Sequence, residues 1–261
     1  MISRDLEKAR NAYKQKDQSA SAQAHQQNAP EKHQNEQGQY LKSLVYGGLD
    51  GIITTFAVVA GVAGASLSAG IVLILGFANL IGDGLSMAIG DYLSTKAEND
   101  YNRAEREREA WEVRNYPEGE KKELVEIYMD RGMAPEDART VTDIIAKNED
   151  AWINIMMVEE LGIVEDNSSP LKNALVTFAS FSLFGFIPLA AFVVSRVFTL
   201  PPSLNFPLAT LLTGATLFSL GALKTRFTSQ NWFAGGLEML FVGGLASGAA
   251  YVIGLALGSL A

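Results

Sequence analysis

The chain has 261 residues, 48% of them hydrophobic, and its 29 Asp and Glu outnumber its 21 Lys and Arg. It contains no cysteine, which excludes disulfides and thiolate metal sites. The acidic charge is concentrated, because residues 97–170 hold 20 acids against 9 basic residues, while residues 41–96 and 171–261 are largely apolar. This segregation predicts a membrane protein with one acidic soluble insert.

Residues 1–40 form a polar tail rich in Gln, Ala, Ser and Asn. The tail has almost no large apolar side chains to bury, so we predict that it is disordered. Its two histidines, His25 and His33, could contact a metal, but an inert tail is the favoured interpretation. The tail shows no apolar core followed by a small-residue cleavage site, so the first span is expected to direct insertion.

Five stretches are apolar enough and long enough to cross a hydrocarbon core, for which a helix needs about 20 residues. They are residues 43–65, 69–95, 171–198, 206–223 and 232–258. The predicted fold class is therefore an all-α membrane protein, with five transmembrane helices and a helical insert between helices 2 and 3.

Lys and Arg near the span ends predict the orientation of the chain. With alternating spans, Arg196 lies alone on one side, and the other side carries Lys42, Lys96, Lys172, Lys224 and Arg226. Because cytosolic loops are enriched in Lys and Arg, we expect the N-terminus and the insert in the cytosol and the C-terminus in a lumen. The predicted divisions are the tail at 1–40, helices 1 and 2 at 41–96, the insert at 97–170 and helices 3 to 5 at 171–261.

Prolines and glycines divide the insert into helices. The second span shows no break before about Arg114, and Pro117 stands where a first helical turn would begin. Gly132 has the position of a C-terminal cap, Pro135 opens the next helix, and a last short helix ends at Gly162. We therefore expect a small all-helical domain.

Polar side chains in the first two spans are candidates for a cation pathway. Asn79, Asp83 and Met87 recur every four residues and share one helix face, and Asp50 lies at a similar depth in the first span. A carboxylate in a spanning helix is costly unless it faces a cavity or a partner. Carboxylate, amide and thioether together favour a divalent transition metal. Met87 is otherwise ordinary packing, and Asp91 is either an auxiliary ligand or an interfacial carboxylate.

Three pairs of residues in the insert share helix faces. Their members are three or four residues apart: Glu109 with Glu112, Glu120 with Glu123, and Met156 with Glu160. If the three faces converge, five carboxylates and a thioether surround one volume, and so much negative charge requires bound cations. The insert would then bind metal at the cytosolic mouth.

A solvated helix surface is the alternative for the first of these faces. In that interpretation Arg103 pairs with Glu107, and Arg108 pairs with Glu112. Glu105 is an auxiliary acid with weaker placement. Spacing alone leaves both interpretations open.

The fifth span contains Glu238, which is either a proton carrier or an interfacial carboxylate. The same span has two small-xxx-small pairs, Gly244 with Gly248 and Gly254 with Gly258, which predict close helix contact. The sequence shows no Gly-rich phosphate loop, nucleophile elbow or zinc-protease motif. We therefore expect neither an ATP-driven pump nor an enzyme, and no prosthetic group.

Four stretches together resemble the vacuolar iron transporter family. They are YGGLDGIITTFAVVAGVAGA, GFANLIGDGLSMAIGDYLS, the acidic insert ending in MMVEELG, and PLKNALVTFASFSLFGFIPL. The similarity covers residues 41–259. It implies a homodimer of five-span protomers in a vacuolar or other endomembrane, which moves Fe²⁺, and often Mn²⁺, out of the cytosol in exchange for protons.

The resemblance also implies roles for individual residues. The family's translocation site matches Asp50 and Met87, and its cytosolic metal ligands match Glu109, Glu112, Glu120, Glu123, Met156 and Glu160. Some members have a glutamate where this chain has Asn79, and Asp83 supplies a carboxylate one turn later. The candidates for proton coupling are Asp50, Asp83 and Glu238. A membrane-anchored metal buffer or sensor and a passive metal channel are the alternative functions.

Overall fold

The computed structural model describes residues 11–13, 15–26, 41–164, 168–199, 201–228 and 231–260. Over these residues the regular structure is entirely helical, so the prediction of an all-α membrane protein is confirmed. In chain order the α-helices are α1 Gln18–Gln26, α2 Leu41–Gly64, α3 Ala69–Asn115, α4 Pro117–Asp130, α5 Pro135–Ile145, α6 Glu149–Glu159, α7 Pro170–Phe198, α8 Asn205–Thr228 and α9 Trp232–Leu257.

Five of these helices, α2, α3, α7, α8 and α9, are long and apolar enough to cross a membrane. Each of the five helices begins within a few residues of the start of a predicted span. Large apolar side chains such as Ile74, Leu211 and Phe241 are exposed on their outer faces. These faces suit lipid, because a helix satisfies its own backbone hydrogen bonds and needs only apolar side chains outside.

The helix α3 is continuous over 47 residues, about 70 Å by its rise per residue. No proline interrupts it, and it ends at Tyr116, directly before Pro117 opens α4. The prediction that the second span runs on to about Arg114 is confirmed. One rigid element therefore joins the membrane spans to the insert.

The first two helices of the insert have the predicted boundaries at Pro117, Gly132 and Pro135, whereas the last helix ends at Glu159, before the predicted Gly162. Gly132, with φ of +95°, follows α4 in a left-handed conformation, and Pro135 occupies the first turn of α5. Asn148 caps α6 by accepting the Ala151 N–H at 2.9 Å. The buried side chains that join α4 and α6 to α3 are Val113, Leu124, Trp152, Ile153, Met156 and Met157.

Within the membrane part, α2 is the central helix and contacts α3, α7, α8 and α9. A Cβ at Gly51 would lie 2.3 Å from the carbonyl oxygen of Phe181, so glycine is what lets α2 and α7 approach so closely. The side chain of Phe181 is fully buried in the largest apolar core, together with Val59 and Leu189.

The two glycine pairs of α9 have different environments. A Cβ at Gly254 would lie 2.0 Å from the carbonyl oxygen of Gly61, and one at Gly258 would lie 2.8 Å from Ala65. The predicted close helix contact is therefore confirmed for this pair, which packs on the end of α2. A Cβ at Gly244 or Gly248 would meet nothing within 4 Å in the described part of the chain.

A short helix, α1, lies in the tail that we expected to be disordered. Asp17 caps it, since its Oδ1 accepts the N–H of Ser19 at 2.8 Å and of Ala20 at 3.1 Å. Alanine and glutamine are good helix formers, so local propensity explains the difference. His25 belongs to α1, whereas His33 lies outside the described residues, and metal contact by this pair stays a hypothesis.

Candidate metal centre

Three glutamates come together in the insert where α3, α4 and the end of α6 meet. One carboxylate oxygen from each of Glu109, Glu120 and Glu160 lies within 4.8 Å of the other two. Glu109 is 1% exposed and Glu120 is 4% exposed, while Glu160 faces solvent. The structure thus brings three of the predicted ligands into one cluster that is open on one side.

The sharp turn between α3 and α4 produces this arrangement. Tyr116 ends α3 and Pro117 begins α4 at once, so that α4 folds back and places Glu120 opposite Glu109. A Cβ at Gly119 would lie 2.0 Å from the Tyr116 ring, and the glycine therefore leaves room for that ring inside the turn. The turn brings together two acids that are eleven residues apart in the sequence.

Met156 lies on α6 and is fully buried in the core of the insert, and Glu160, four residues later, directly follows that helix. Helical spacing puts both residues on one face. A thioether ligand favours later transition metals, whereas Ca²⁺ and Mg²⁺ prefer shells of oxygen alone. The three clustered donors are carboxylate oxygens, which suit a divalent cation, and Met156 as a further ligand stays a prediction.

The cluster is electrostatically strained without a cation. Burial raises the pKa of Glu109 to about 8, and its hydrogen bond to Glu120 and the charges of Glu120 and Glu160 add to this shift. Burial is also the main cause that raises the pKa of Glu120 and of Glu160. Glu109 Oε1 and Glu120 Oε2 are buried with no hydrogen-bond partner among the described residues. Such oxygens are costly, and a bound divalent cation would compensate them.

Two further predicted ligands, Glu112 and Glu123, lie at the rim of the cluster. Their charges help to raise the pKa of Glu120 and of Glu160, after the larger effect of burial, so both lie within electrostatic reach. Glu112 is half-buried and Glu123 is exposed. The five glutamates therefore form one acidic site with a buried centre and an accessible edge.

Arg108 joins several of these acids through one guanidinium group. It donates a hydrogen bond to Glu112, its Nε lies 3.0 Å from Glu105, and its Nη2 lies 3.9 Å from Glu109. The predicted pair of Arg108 with Glu112 is confirmed, and the auxiliary acid Glu105 shares the same arginine. Arg108 thus belongs both to the solvated face of α3 and to the surroundings of the acidic cluster.

The other predicted ion pair on this helix face is wrong. Arg103 lies 3.5 Å from Asp100 and was expected to pair with Glu107. Both carboxylates are within one helical turn of Arg103, so the choice between them is local and does not affect the cluster.

In the membrane spans, Asp50, Asn79 and Asp83 form one polar patch. Asn79 donates to Asp83 through its Nδ2 and accepts the Thr55 hydroxyl at 3.1 Å through its Oδ1. Asp50 is half-buried on α2 and lies within electrostatic reach of Asp83, which is exposed on the outer face of α3. The predicted candidates in the first two spans are therefore neighbours in space.

Met87 and Asp91 lie closer to the insert along α3 than Asp83 does. They line a cavity of about 500 Å³ between α2, α3 and α7. Asp91 Oδ2 accepts the hydroxyl of Ser43 at 3.1 Å and that of Thr177. This carboxylate therefore points into the bundle and not into lipid. Met87, half-buried, is both in contact with the apolar core and open to this cavity.

Glu238 makes an ion pair with Lys224, with 3.0 Å between Oε2 and Nζ. The pair joins the end of α8 to the first turns of α9, and the Glu238 side chain is 59% exposed. This position favours the interfacial interpretation of Glu238 over that of a proton carrier.

Sequence reasoning missed the hydroxyls around Asp91. Ser43 and Thr177 are 48 and 86 residues away from it along the chain, and no local pattern connects them. It also missed that Arg108 contacts Glu105 as well as Glu112, although their helical spacing gave a usable signal.

Comparison with known proteins places this arrangement in context. The model of the VIT family matches residues 41–255. The chain is 42% identical over 265 residues to a vacuolar iron transporter of Toxoplasma gondii, a match that covers 96% of this chain and 88% of the relative. It is 37% identical to a vacuolar iron transporter of Plasmodium falciparum, and this match covers 98% of each of the two chains. It is 33% identical to vacuolar iron transporter 1 of Arabidopsis thaliana, over 83% of this chain and 85% of the relative.

Proposed function

We propose that this chain, which belongs to the VIT family, moves Fe²⁺ from the cytosol into a vacuole-like compartment, accepts Mn²⁺ as well, and exchanges the metal for protons. The names of its relatives support iron as the cargo and a vacuolar membrane as the location. Five helices able to span a membrane support a multi-pass transporter.

The buried cluster of Glu109, Glu120 and Glu160 is the observation that carries the proposal. Its unpartnered carboxylate oxygens suit a divalent cation, and Met156 as a further ligand would favour a transition metal. Glu109, one member of the cluster, lies on the same unbroken helix that enters the membrane. In the proposed mechanism the insert, residues 97–170, therefore captures metal before it reaches the spans.

Asp50, Asp83 and Met87 are the proposed path through the membrane. The charge of Asp83 acts on Asp50, which supports a joint role of the two carboxylates in binding a cation or protons, and Met87 adds a thioether toward the insert. Protonation of either aspartate on the acidic side would weaken metal binding and favour release. Coupling through Glu238 is disfavoured because Lys224 already holds that carboxylate.

Orientation and assembly are parts of the same proposal. Lys42, Lys96 and Lys172 near the span ends favour a cytosolic insert and N-terminus, with the C-terminus in the lumen. Asp83 is exposed on α3 at membrane depth, and a carboxylate there is costly against lipid. A second copy of the chain covering this face would form the homodimer that we propose.

Transport of Fe²⁺ by the reconstituted protein into liposomes with an acidic interior tests the function. We expect anaerobic Fe²⁺ uptake to be accompanied by a rise in internal pH, and Asp50→Ala to lose both signals. A gradient of about two pH units supplies about 2.7 kcal/mol per proton, enough for about hundredfold accumulation. The exposed insert acid Glu136 provides a matched control, because Glu136→Gln should leave both signals unchanged.

Other outcomes would assign a different function. Metal binding by the wild type without any uptake would favour a membrane-anchored buffer or sensor. Uptake that leaves the internal pH unchanged, with or without a gradient, would favour a passive channel.

A further inference from the structure

A cavity of about 500 Å³ opens between α2, α3 and α7 on the insert side of the spans. Met87 lines it toward the membrane, Glu98 lines it toward the insert, and Asp91 lies between them on the same helix. By the rise of an α-helix, Asp91 is about 6 Å beyond Met87, and Glu98 about 10 Å beyond Asp91. One cavity thus extends from Met87 in the second span to Glu98 at the start of the insert.

Asp91 is held in place but keeps free acceptor capacity. Its Oδ2 accepts the hydroxyls of Ser43 and Thr177, and its Oδ1 lies 3.5 Å from the hydroxyl of Thr95. A carboxylate offers about four lone-pair positions, and these three donors come from three different helices. The geometry fixes the carboxylate without using all of its lone pairs.

Asn173 provides an independent observation that points to a ligand site. Its side chain lines the same cavity, is only 9% exposed, and donates from Nδ2 to the Thr95 hydroxyl at 3.2 Å. Its Oδ1 is buried and has no partner among the described residues. A buried acceptor with no donor is rare in proteins, so this oxygen is the place where a cation or its bound water would bind.

The position of Asp91 on α3 relates this cavity to the insert cluster. At about 100° per residue, the side chains of Met87, Asp91, Glu98, Glu105 and Glu109 fall within an arc of about 40° on α3. Met87 and Glu109 are about 33 Å apart along the helix axis, too far for direct transfer of an ion. The acids between them divide that distance into steps of about 6 to 11 Å.

We propose that the Asp91 cavity is a transit site for a hydrated divalent cation, bound by Asp91 and Asn173 Oδ1 with Glu98 at its mouth, between the insert cluster and Met87. The proposal rests on the proposed transport function. Lys42 also lines the cavity, so the two acids and one lysine leave one net negative charge. A site of this modest charge binds a divalent cation weakly and releases it easily, as transit requires.

Binding of Mn²⁺ to the full chain in detergent tests the site apart from transport. The background is Asp50→Ala with Glu109→Gln and Glu120→Gln, which disables the membrane patch and the insert cluster. Electron paramagnetic resonance counts free Mn²⁺, and we expect one remaining bound ion per chain. Adding Asp91→Asn should remove it, and adding Glu98→Gln should weaken it roughly tenfold or more.

Asp100 provides the matched control, because it is an exposed acid two residues from Glu98 on the opposite side of α3. Asp100→Asn should leave Mn²⁺ binding unchanged. If Asp91→Asn does not fold, Glu98→Gln decides alone, since its exposed side chain supports no packing. Loss of affinity in Glu98→Gln supports the site, and Mn²⁺ binding that is unchanged by the variants that fold would overturn it.

Uptake of Mn²⁺ by liposomes separates this proposal from the proposed function. In an otherwise wild-type chain, Asp91→Asn should reduce uptake most strongly at low Mn²⁺ and less at high Mn²⁺. A wild type that transports Mn²⁺ while Asp91→Asn binds and transports equally well would overturn the transit site and leave the function standing. A wild type that binds Mn²⁺ at Asp91 but transports none would end the proposed function and leave only the binding site.

Discussion

Glu109 on α3 and Glu120 on α4 are nearly buried, and one carboxylate oxygen of each lies within 4.8 Å of the other. Each also has a buried oxygen with no hydrogen-bond partner within the described part of the chain. Burial and the neighbouring acids raise the pKa of Glu109 to about 8, so a proton and a divalent cation would neutralise the same carboxyl group. We therefore expect protons and metal ions to compete for this cluster.

The stability of the metal-free protein should fall as pH rises. Glu109 has a folded-state pKa of about 8 against an ordinary value of 4.5, so between these values the folded state binds more protons than the unfolded state. The free energy of unfolding then decreases with increasing pH over that window. We expect the melting temperature of the insert, followed by tryptophan fluorescence, to decrease from about pH 5 to pH 8.

Glu109→Gln supplies the control for this pH dependence. A neutral side chain of the same shape should flatten most of the slope, whereas Glu136→Gln, at an exposed position, should leave it unchanged. A wild-type melting temperature that rises over the same window would contradict the burial of an acid with a raised pKa.

Metal binding to the cluster should release protons and tighten as pH rises toward about 8. The ligands must be deprotonated before they bind a cation, and Glu109 loses its proton only near that pH. Calorimetry of Mn²⁺ binding in buffers with different ionisation enthalpies counts the released protons. No proton release at pH 6.5 would show that the cluster is already ionised or does not bind the metal.

Removing the buried acids should have opposite effects on binding and on stability. Glu120→Gln should weaken Mn²⁺ binding to the insert by at least about tenfold, because a ligand is lost. The same change should stabilise the metal-free protein at pH 8, because a buried carboxylate disappears. Titration and thermal melts measure both effects, and a variant that loses both would show a purely structural role for Glu120.

The glycine pairs of α9 give a test of packing. Gly254→Ala forces a Cβ to within 2.0 Å of the Gly61 carbonyl oxygen, and such overpacking costs about 1–3 kcal/mol. Gly248→Ala meets nothing within 4 Å and should not destabilise the protomer. Thermal melts of both variants in detergent compare them directly. Equal melting temperatures would contradict the close contact of α9 with α2.

Local sequence determined most of the fold. A helix in lipid must satisfy its backbone hydrogen bonds internally, so the length and composition of each apolar stretch were enough to predict the five spans. Pro117, Gly132 and Pro135 act through their own backbone geometry, and the helix boundaries followed from them. The helix α1 departs from the prediction. A lack of apolar residues predicts a disordered tail, whereas the helix propensity of its alanines and glutamines favours a helix.

Helical spacing also predicted which acids share a face, but only the tertiary structure decided their chemistry. Burial of Glu109 and Glu120, the short distance between their carboxylates and the turn at Gly119 depend on how α4 folds back on α3. The surroundings of Asp91 come from helices up to 86 residues distant. Electrostatic energies depend on distances in space and on exclusion of water, and neither quantity is contained in the spacing of residues along one helix.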